Sequence, residues 1–518
     1  MKPRRNVSPL SSLVLVCGLA TWALTRDSAQ AADVFFNTTP SGDWSVGANW
    51  IGGVPTASDT AWIGNVGPGT AIVSQVGMVA GQVIISWNLS AGLDIQNGSL
   101  SADQVFVAHN GFSGSVNHSG GTLSYNAAVI GAHAASPGTY TFSGGTMSGN
   151  TMSVGYYLGA TVGSLTQSSG SHSVANYLSL ADGPGSVGTY QLSGGSLSPV
   201  RTFLGANGQG ILNQSGGTYH SAIFSAGQNA SGVGTFNLTG GTFTMPKETG
   251  FNREMIVGDA GSGTWNIGNA SATGTIGESG AGPDGVHLKV RNSSGASGTV
   301  RGWGTVGFTA QLVNNGRIVA DGYGTDRTLS LTGFSSVDNT IENTGNNGWF
   351  ALNGGKLTLP TLSISPGSST KLWGESAGDP TPDLVNSVKL QLNSIASGGN
   401  LAVSLLAPNR ADVPASPDGR AYLGIWDFAA SGGLSFGGGD ADLTFRFDST
   451  SDQGADLKLW HYDGSWTLLS SSFNDTDHTI STTGINSFSL FAITVPEPSA
   501  LALVLGAALV LARRRQRG

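Results

Sequence analysis

Apolar or aromatic residues alternate with polar ones along much of this chain, break at a Ser/Thr-Gly-Gly-Thr/Ser corner, and then alternate again. The pattern runs through Val116–Leu123, Tyr140–Met147, Tyr190–Leu197, Leu212–Tyr219 and Phe236–Phe243, with a weaker copy at Leu165–His172. The second glycine of each copy falls at 121, 145, 170, 195, 217 and 241, so the spacings are 24, 25, 25, 22 and 24 residues. Gly131, Gly155, Gly205 and Gly227 each follow a corner glycine by ten residues, and Asn97-Gly98-Ser99-Leu100 reads as a truncated earlier copy. A period of two predicts strands, and a repeat of this length is too short for a propeller blade of about 40 residues. Strands recurring at such a period predict a right-handed parallel β-helix, with turns stacked about 4.8 Å apart. Glycine suits a corner that bends sharply once per turn, because φ > 0 costs it little.

The rest of the chain divides around this block. Residues 32–96, with Trp44 and Trp50, are expected to form an N-terminal cap and the first turns, residues 97–245 the regular solenoid, and 246–375 a less regular continuation. Residues 376–494 alternate strongly in Leu401–Leu405, Leu443–Phe447 and Leu457–Tyr462, and Asp463-Gly464 is a two-residue hairpin signal. They predict a small antiparallel β-sandwich, so the whole chain is expected to be all-β. Its pattern is similar to the membrane-proximal β module that precedes bacterial surface-sorting tails.

Charge separates the ends from the body. Residues 1–31 and 495–518 each carry +3, which leaves −14 on the residues between them. An acidic body argues against a nucleic-acid partner. Basic Lys2, Arg4 and Arg5, the apolar run Leu13–Leu24 and the small-residue site Ala29-Gln30-Ala31 read as a signal peptide over residues 1–31, cleaved after Ala31. The lone Cys17 lies within it, so the mature chain would hold no thiol. At the other end Pro496-Glu497-Pro498 precedes the apolar stretch Ser499–Ala512 and then Arg513, Arg514 and Arg515. Fourteen residues span about 21 Å as a helix, short of a bilayer core of about 30 Å. This order of motif, apolar helix and basic cluster resembles the sorting tail of PEP-CTERM proteins. The resemblance covers residues 496–518 and implies transient insertion in the inner membrane and processing by an exosortase. It also implies export to the surface or extracellular matrix of a bacterium that makes extracellular polysaccharide. The pattern of Trp44, Asn49-Trp50, Pro55 and Asp59 likewise resembles the opening of β-helical autotransporter-type and PEP-CTERM surface proteins.

Chemistry is sparse. Between Ser99 and Met245 the acids are Asp103 and Asp182 and the one Lys or Arg is Arg201. Glycoside hydrolysis usually needs two carboxylates about 5–10 Å apart, so that stretch is expected to be non-catalytic. His109, His118, His133, His172 and His220 are read as ordinary polar surface positions rather than a metal site. Asp440, Asp442, Asp448, Asp452 and Asp456 form a weak calcium candidate, since clustered loop carboxylates are hard ligands; otherwise no cofactor is expected. The expected function is structural or adhesive contact with extracellular polysaccharide, through Ser/Thr/Asn rows and the rings of Tyr140, Tyr190, Tyr219 and Trp265. The rival reading is a carbohydrate-active lyase or hydrolase with its site in residues 247–375. There Lys247, Glu248, Arg253, Glu254, Asp259, Asp284, His287, Lys289 and Arg291 restore charge. Self-assembly into an array is a third possibility.

Overall fold

The computed structural model describes residues 31–133, 135–156, 161–247, 253–280, 284–293, 295–334, 336–337, 348–373, 384–447 and 456–495. A parallel β-solenoid of about 12 turns fills most of this span, and antiparallel sheets close its C-terminal end. Each regular turn contains a short strand, such as Gly138–Phe142, and a long one, such as Thr146–Val154. Short strands stack on short and long on long, in parallel and in register.

The long strand is bent. In Thr122–Ile130 inward and outward positions change phase at Asn126, and pairing with the next turn passes from Tyr125↔Gly149 to Ala127↔Thr151. Further along, the two halves separate into Thr218–His220 and Ile223–Ala226, which both pair with Ser196–Leu204. Each turn therefore has three faces, one more than the Gly-Gly corner alone defines. Asn126 marks the extra corner and donates no bulk inward; Asn150 one turn on hydrogen-bonds to it at 3.3 Å.

Glycine fixes the other corners by two separate constraints. Gly121, Gly145, Gly170, Gly195, Gly217 and Gly241 all have φ between 68° and 86°. Glycine also precedes each of these except Gly170, which follows Ser169, and crowding favours it there: a Cβ at Gly194 would lie 2.2 Å from the Ser168 carbonyl oxygen. At the third corner Gly131, Gly155, Gly205 and Gly227 again have positive φ, and Ala181, with φ 61°, takes the equivalent place in its own turn.

Apolar side chains from all three faces meet in one continuous core that extends from Val34 to Ile493. At its N-terminal end Trp44 is fully buried, packs edge-on to Trp50 at 4.8 Å and accepts the Trp50 indole N–H on its carbonyl at 2.8 Å. These rings fill the core of the first turn. Parallel stacking continues through the stretch expected to be irregular, from Ser262–Ile267 to Gly348–Asn353. The sequence period blurs there because turn length varies, from 35 residues between Trp265 and Val300 to 18 between Val300 and Ile318, while the parallel stacking persists.

The C-terminal module is joined to the solenoid without a break in hydrogen bonding. Lys356–Thr358, the last solenoid strand of its face, pairs antiparallel with Gly399–Leu406. Gly367–Trp373 already belongs to the antiparallel sheet, while Leu384–Val385 still pairs in parallel with Gly348–Trp349. The boundary expected at residue 376 is thus an interlaced region. Two antiparallel sheets then face each other through Trp426, Phe428, Phe445 and Phe491, with Trp426 and Phe445 4.7 Å apart. No helix among the described residues is long and apolar enough to cross a membrane.

Candidate functional site

The structure moves the aromatic residues expected on the surface into the core. Tyr140, Tyr190, Tyr219 and Trp265 are all buried. Register explains it: Tyr140 and Tyr190 stack with Val116, Leu165 and Leu212 on the inward side of the short strands. The histidine expectation fails in part for the same reason, because His118 and His172 are fully buried.

These buried polar groups form a chain through the interior. Tyr125 Oη lies 3.0 Å from His172 Nε2, and His172 Nδ1 lies 2.9 Å from Tyr190 Oη. Tyr190 donates to Gln167 Oε1 at 2.5 Å, and Gln167 Nε2 donates to the carbonyls of Gly170 and Ser196. Gly149 makes room for it, since a Cβ there would lie 2.0 Å from the Tyr125 ring. Burial holds both histidines neutral, pushing His172 down to about 3 and His118 to about 4, and raises the tyrosine hydroxyls. Enclosed in the core, the chain braces the fold and meets no substrate.

The outer surface of the short-strand sheet is a regular polar array. One column is Ser or Thr in successive turns from Ser115 to Thr299, except for Ile211. Two residues along each strand lies a second column, in which Asn237 hydrogen-bonds to Asn213 and Asn266 to Asn237, each at 2.6 Å. Turns about 4.8 Å apart and alternate residues about 6.7 Å apart make this a lattice of hydroxyls and amides. No Lys or Arg occurs between residues 28 and 200.

A row of half-buried rings climbs the outside of the N-terminal turns, and the sequence reading missed it. Phe35, Trp62, Trp87, His109 and His133 follow one another at centroid distances of 6.4, 5.1, 4.6 and 5.3 Å. Amide pairs accompany them, Asn88 with Asn65 and Gln82 with Gln104, both at 2.9 Å. The signal was available: these rings recur at 27, 25, 22 and 24 residues, close to the repeat length.

The charged residues of the rival site are brought together largely as ion pairs. Lys247 meets Glu278 at 3.0 Å, Lys289 meets Glu254 at 2.8 Å, and Arg291 pairs with Asp259. Burial raises Asp259 against the opposing pull of Arg291 and lowers His287. Arg253 and His287 lie on neighbouring turns, in register with Val286 and Glu254, and Asp284 sits at the corner before His287. Glu248 lies outside the described residues.

Of the calcium candidates, Asp440 accepts from Asn393 Nδ2 at 3.0 Å, Asp442 accepts from the Gly484 N–H, and Asp456 is ion-paired to Arg420 at 2.7 Å. Each thus has a separate partner, and no group of three metal-ligating side chains occurs among the described residues. Asp448, Asp452, Ala29 and the sorting residues Pro496, Glu497, Pro498, Arg513, Arg514 and Arg515 lie outside them; Ala31 is their exposed first residue. Comparison with family models, with curated proteins and with solved structures finds no match for this chain.

Proposed function

We propose that the protein is a secreted, non-catalytic component of a bacterial surface or extracellular matrix that holds extracellular polysaccharide, and that an exosortase processes its tail at residues 496–518. The observation that carries the adhesive reading is the outward-facing hydroxyl and amide lattice of the short-strand sheet, flanked on the N-terminal turns by the ring row. Repeated neutral hydrogen-bonding groups suit repeated sugar hydroxyls, and aromatic rings offer apolar surface to their C–H faces. Absence of cations from residues 28–200 favours neutral over acidic sugars along this part. The sorting signal rests on the order of its motifs in the sequence.

Co-sedimentation of the purified protein with extracellular polysaccharide from its host tests this reading. Saturable binding is expected, with no release of reducing ends. Replacing Trp62 and Trp87 together by alanine is expected to weaken binding roughly tenfold, about 1.4 kcal/mol. Failure to bind any extracellular polysaccharide would sink the adhesive reading, and new reducing ends would favour the enzyme.

A further inference from the structure

The first arm of the bent long strand carries a second outward array, on a different face from the short strands. Its first row is Thr122, Thr146, Ser171, Ser196, Thr218 and Thr242, stacked in register on successive turns. Two residues on, the second row is Ser124, Ser148, Ser173 and Ser198, followed by His220 and Thr244. The turn before adds Ser99 and Ser101. All of these are exposed or half-buried, while residues between the rows, such as Leu123, Met147 and Leu197, are fully buried.

This array is regular, uncharged and unsatisfied. Register is continuous across both rows, and the shifts in pairing begin only after Gly149 and Val174. A corner glycine stands immediately before every first-row residue from Thr122 to Thr242, so no side chain overhangs that edge. Neither row holds a Lys, Arg, Asp or Glu, and every member but His220 is a short hydroxyl, which keeps the face level. Among the described residues the hydroxyls of Ser124, Ser148, Ser173 and Ser198 bond to no protein group, and Ser196 bonds to Ser171 along the first row at 3.1 Å.

A ligand for this face must offer hydrogen bonds at the same pitch, because hydroxyls that both donate and accept are all the face presents. Turns about 4.8 Å apart and alternate residues about 6.7 Å apart set that pitch. Oxygen rows on the prism faces of hexagonal ice repeat at close to both distances. A sugar chain gains from apolar ring surface beneath it, and neither row has a ring between Ser99 and Ser198. We infer that this face binds ice. The serine and threonine hydroxyls hold a layer of water in crystal positions, and that layer joins the protein to the growing surface. Each contact is weak, and hold comes from engaging many turns at once. The face is separate from the short-strand lattice and the ring row and does not depend on polysaccharide binding.

Partition of the full protein into a slowly growing ice front, with serum albumin alongside, tests the inference. The wild type is expected to be enriched in the ice and albumin to be excluded. Ser173 is exposed, so Ser173→Tyr raises a ring in mid-array without touching the core. It is expected to lose the enrichment with an unchanged melting profile, and Ser198→Tyr repeats the test one turn on. Thr189→Tyr, on the short-strand face, is expected to keep the enrichment. Exclusion of the wild type from ice overturns the inference, as does a folded Ser173→Tyr that still partitions like the wild type. Equal loss in Thr189→Tyr overturns the assignment to this face. Binding to crystalline cellulose that Ser173→Tyr abolishes, with no enrichment in ice, would make this a polysaccharide face instead.

Discussion

Gly188 shows how little freedom a single residue has in this architecture. A Cβ at that position would lie 2.0 Å from the Val154 carbonyl oxygen and 2.5 Å from the Ala181 amide nitrogen. The same column holds glycine in every turn from Gly114 to Gly298, because two strands of backbone meet there without space between them. Ala181, opposite Gly188, stands at a corner that glycine holds in most turns and that Ala108 and Ser86 hold in two earlier ones, and its φ of 61° costs an alanine about 1 kcal/mol. Ala181→Gly is therefore expected to raise stability by about 1 kcal/mol, and Gly188→Ala to lower it by about 2–3 kcal/mol. Chemical unfolding of the two variants checks both signs; equal effects would show that the corner is looser than its geometry states. The Gly-Gly corners were legible because both constraints select the same residue type. The third face was not, since Asn126 carries a bend that many polar residues could make.

Along one strand, parity decides whether a side chain meets solvent or the core. Tyr140 and Tyr190 were read by residue type as binding surface, but their positions alternate in phase with Val116 and Leu165, and parity carried the correct answer. The ring row was overlooked because its members sit on strands and on corners alike, so no single register position reveals it. Inward parity also places His172 in the core, where burial lowers it to about 3 from 6.5. The fold binds the neutral ring, so its contribution is whole above pH 6.5 and is lost as pH falls from 6.5 toward 3. Over that window His172 alone is expected to withdraw about 1.4 kcal/mol per pH unit. Urea unfolding at pH 8 and pH 5 measures this loss. His172→Leu, which takes this partner from the Tyr125 hydroxyl and leaves Tyr190 bonded to Gln167 alone, is expected to be weaker at pH 8 but flatter toward acid. A variant that loses stability in parallel with the wild type would remove His172 from the account.

At the scale of the molecule, a stack of parallel strands ends in unpaired edges that invite other chains. Here Trp44 and Trp50 fill the core at one end, and the antiparallel strand Gly399–Leu406 continues the other into a sandwich. The all-β class, the solenoid and the antiparallel module were legible from periodicity. Their interlacing was not, because strands such as Leu384–Val385 are too short to show which partner they will choose. Because each turn touches chiefly its neighbours, the stability of the stack is close to a sum of successive interfaces. The bonds between turns run along the long axis, so a pull on the two ends opens one interface at a time. Each turn of about 24 residues then releases roughly 80 Å of extended chain. In a single-molecule stretching experiment the solenoid is expected to yield in a ladder of such steps, and one all-at-once rupture would contradict it. A protein of this build, fixed at both ends, is an extensible tether that absorbs a load turn by turn and re-forms when slack returns.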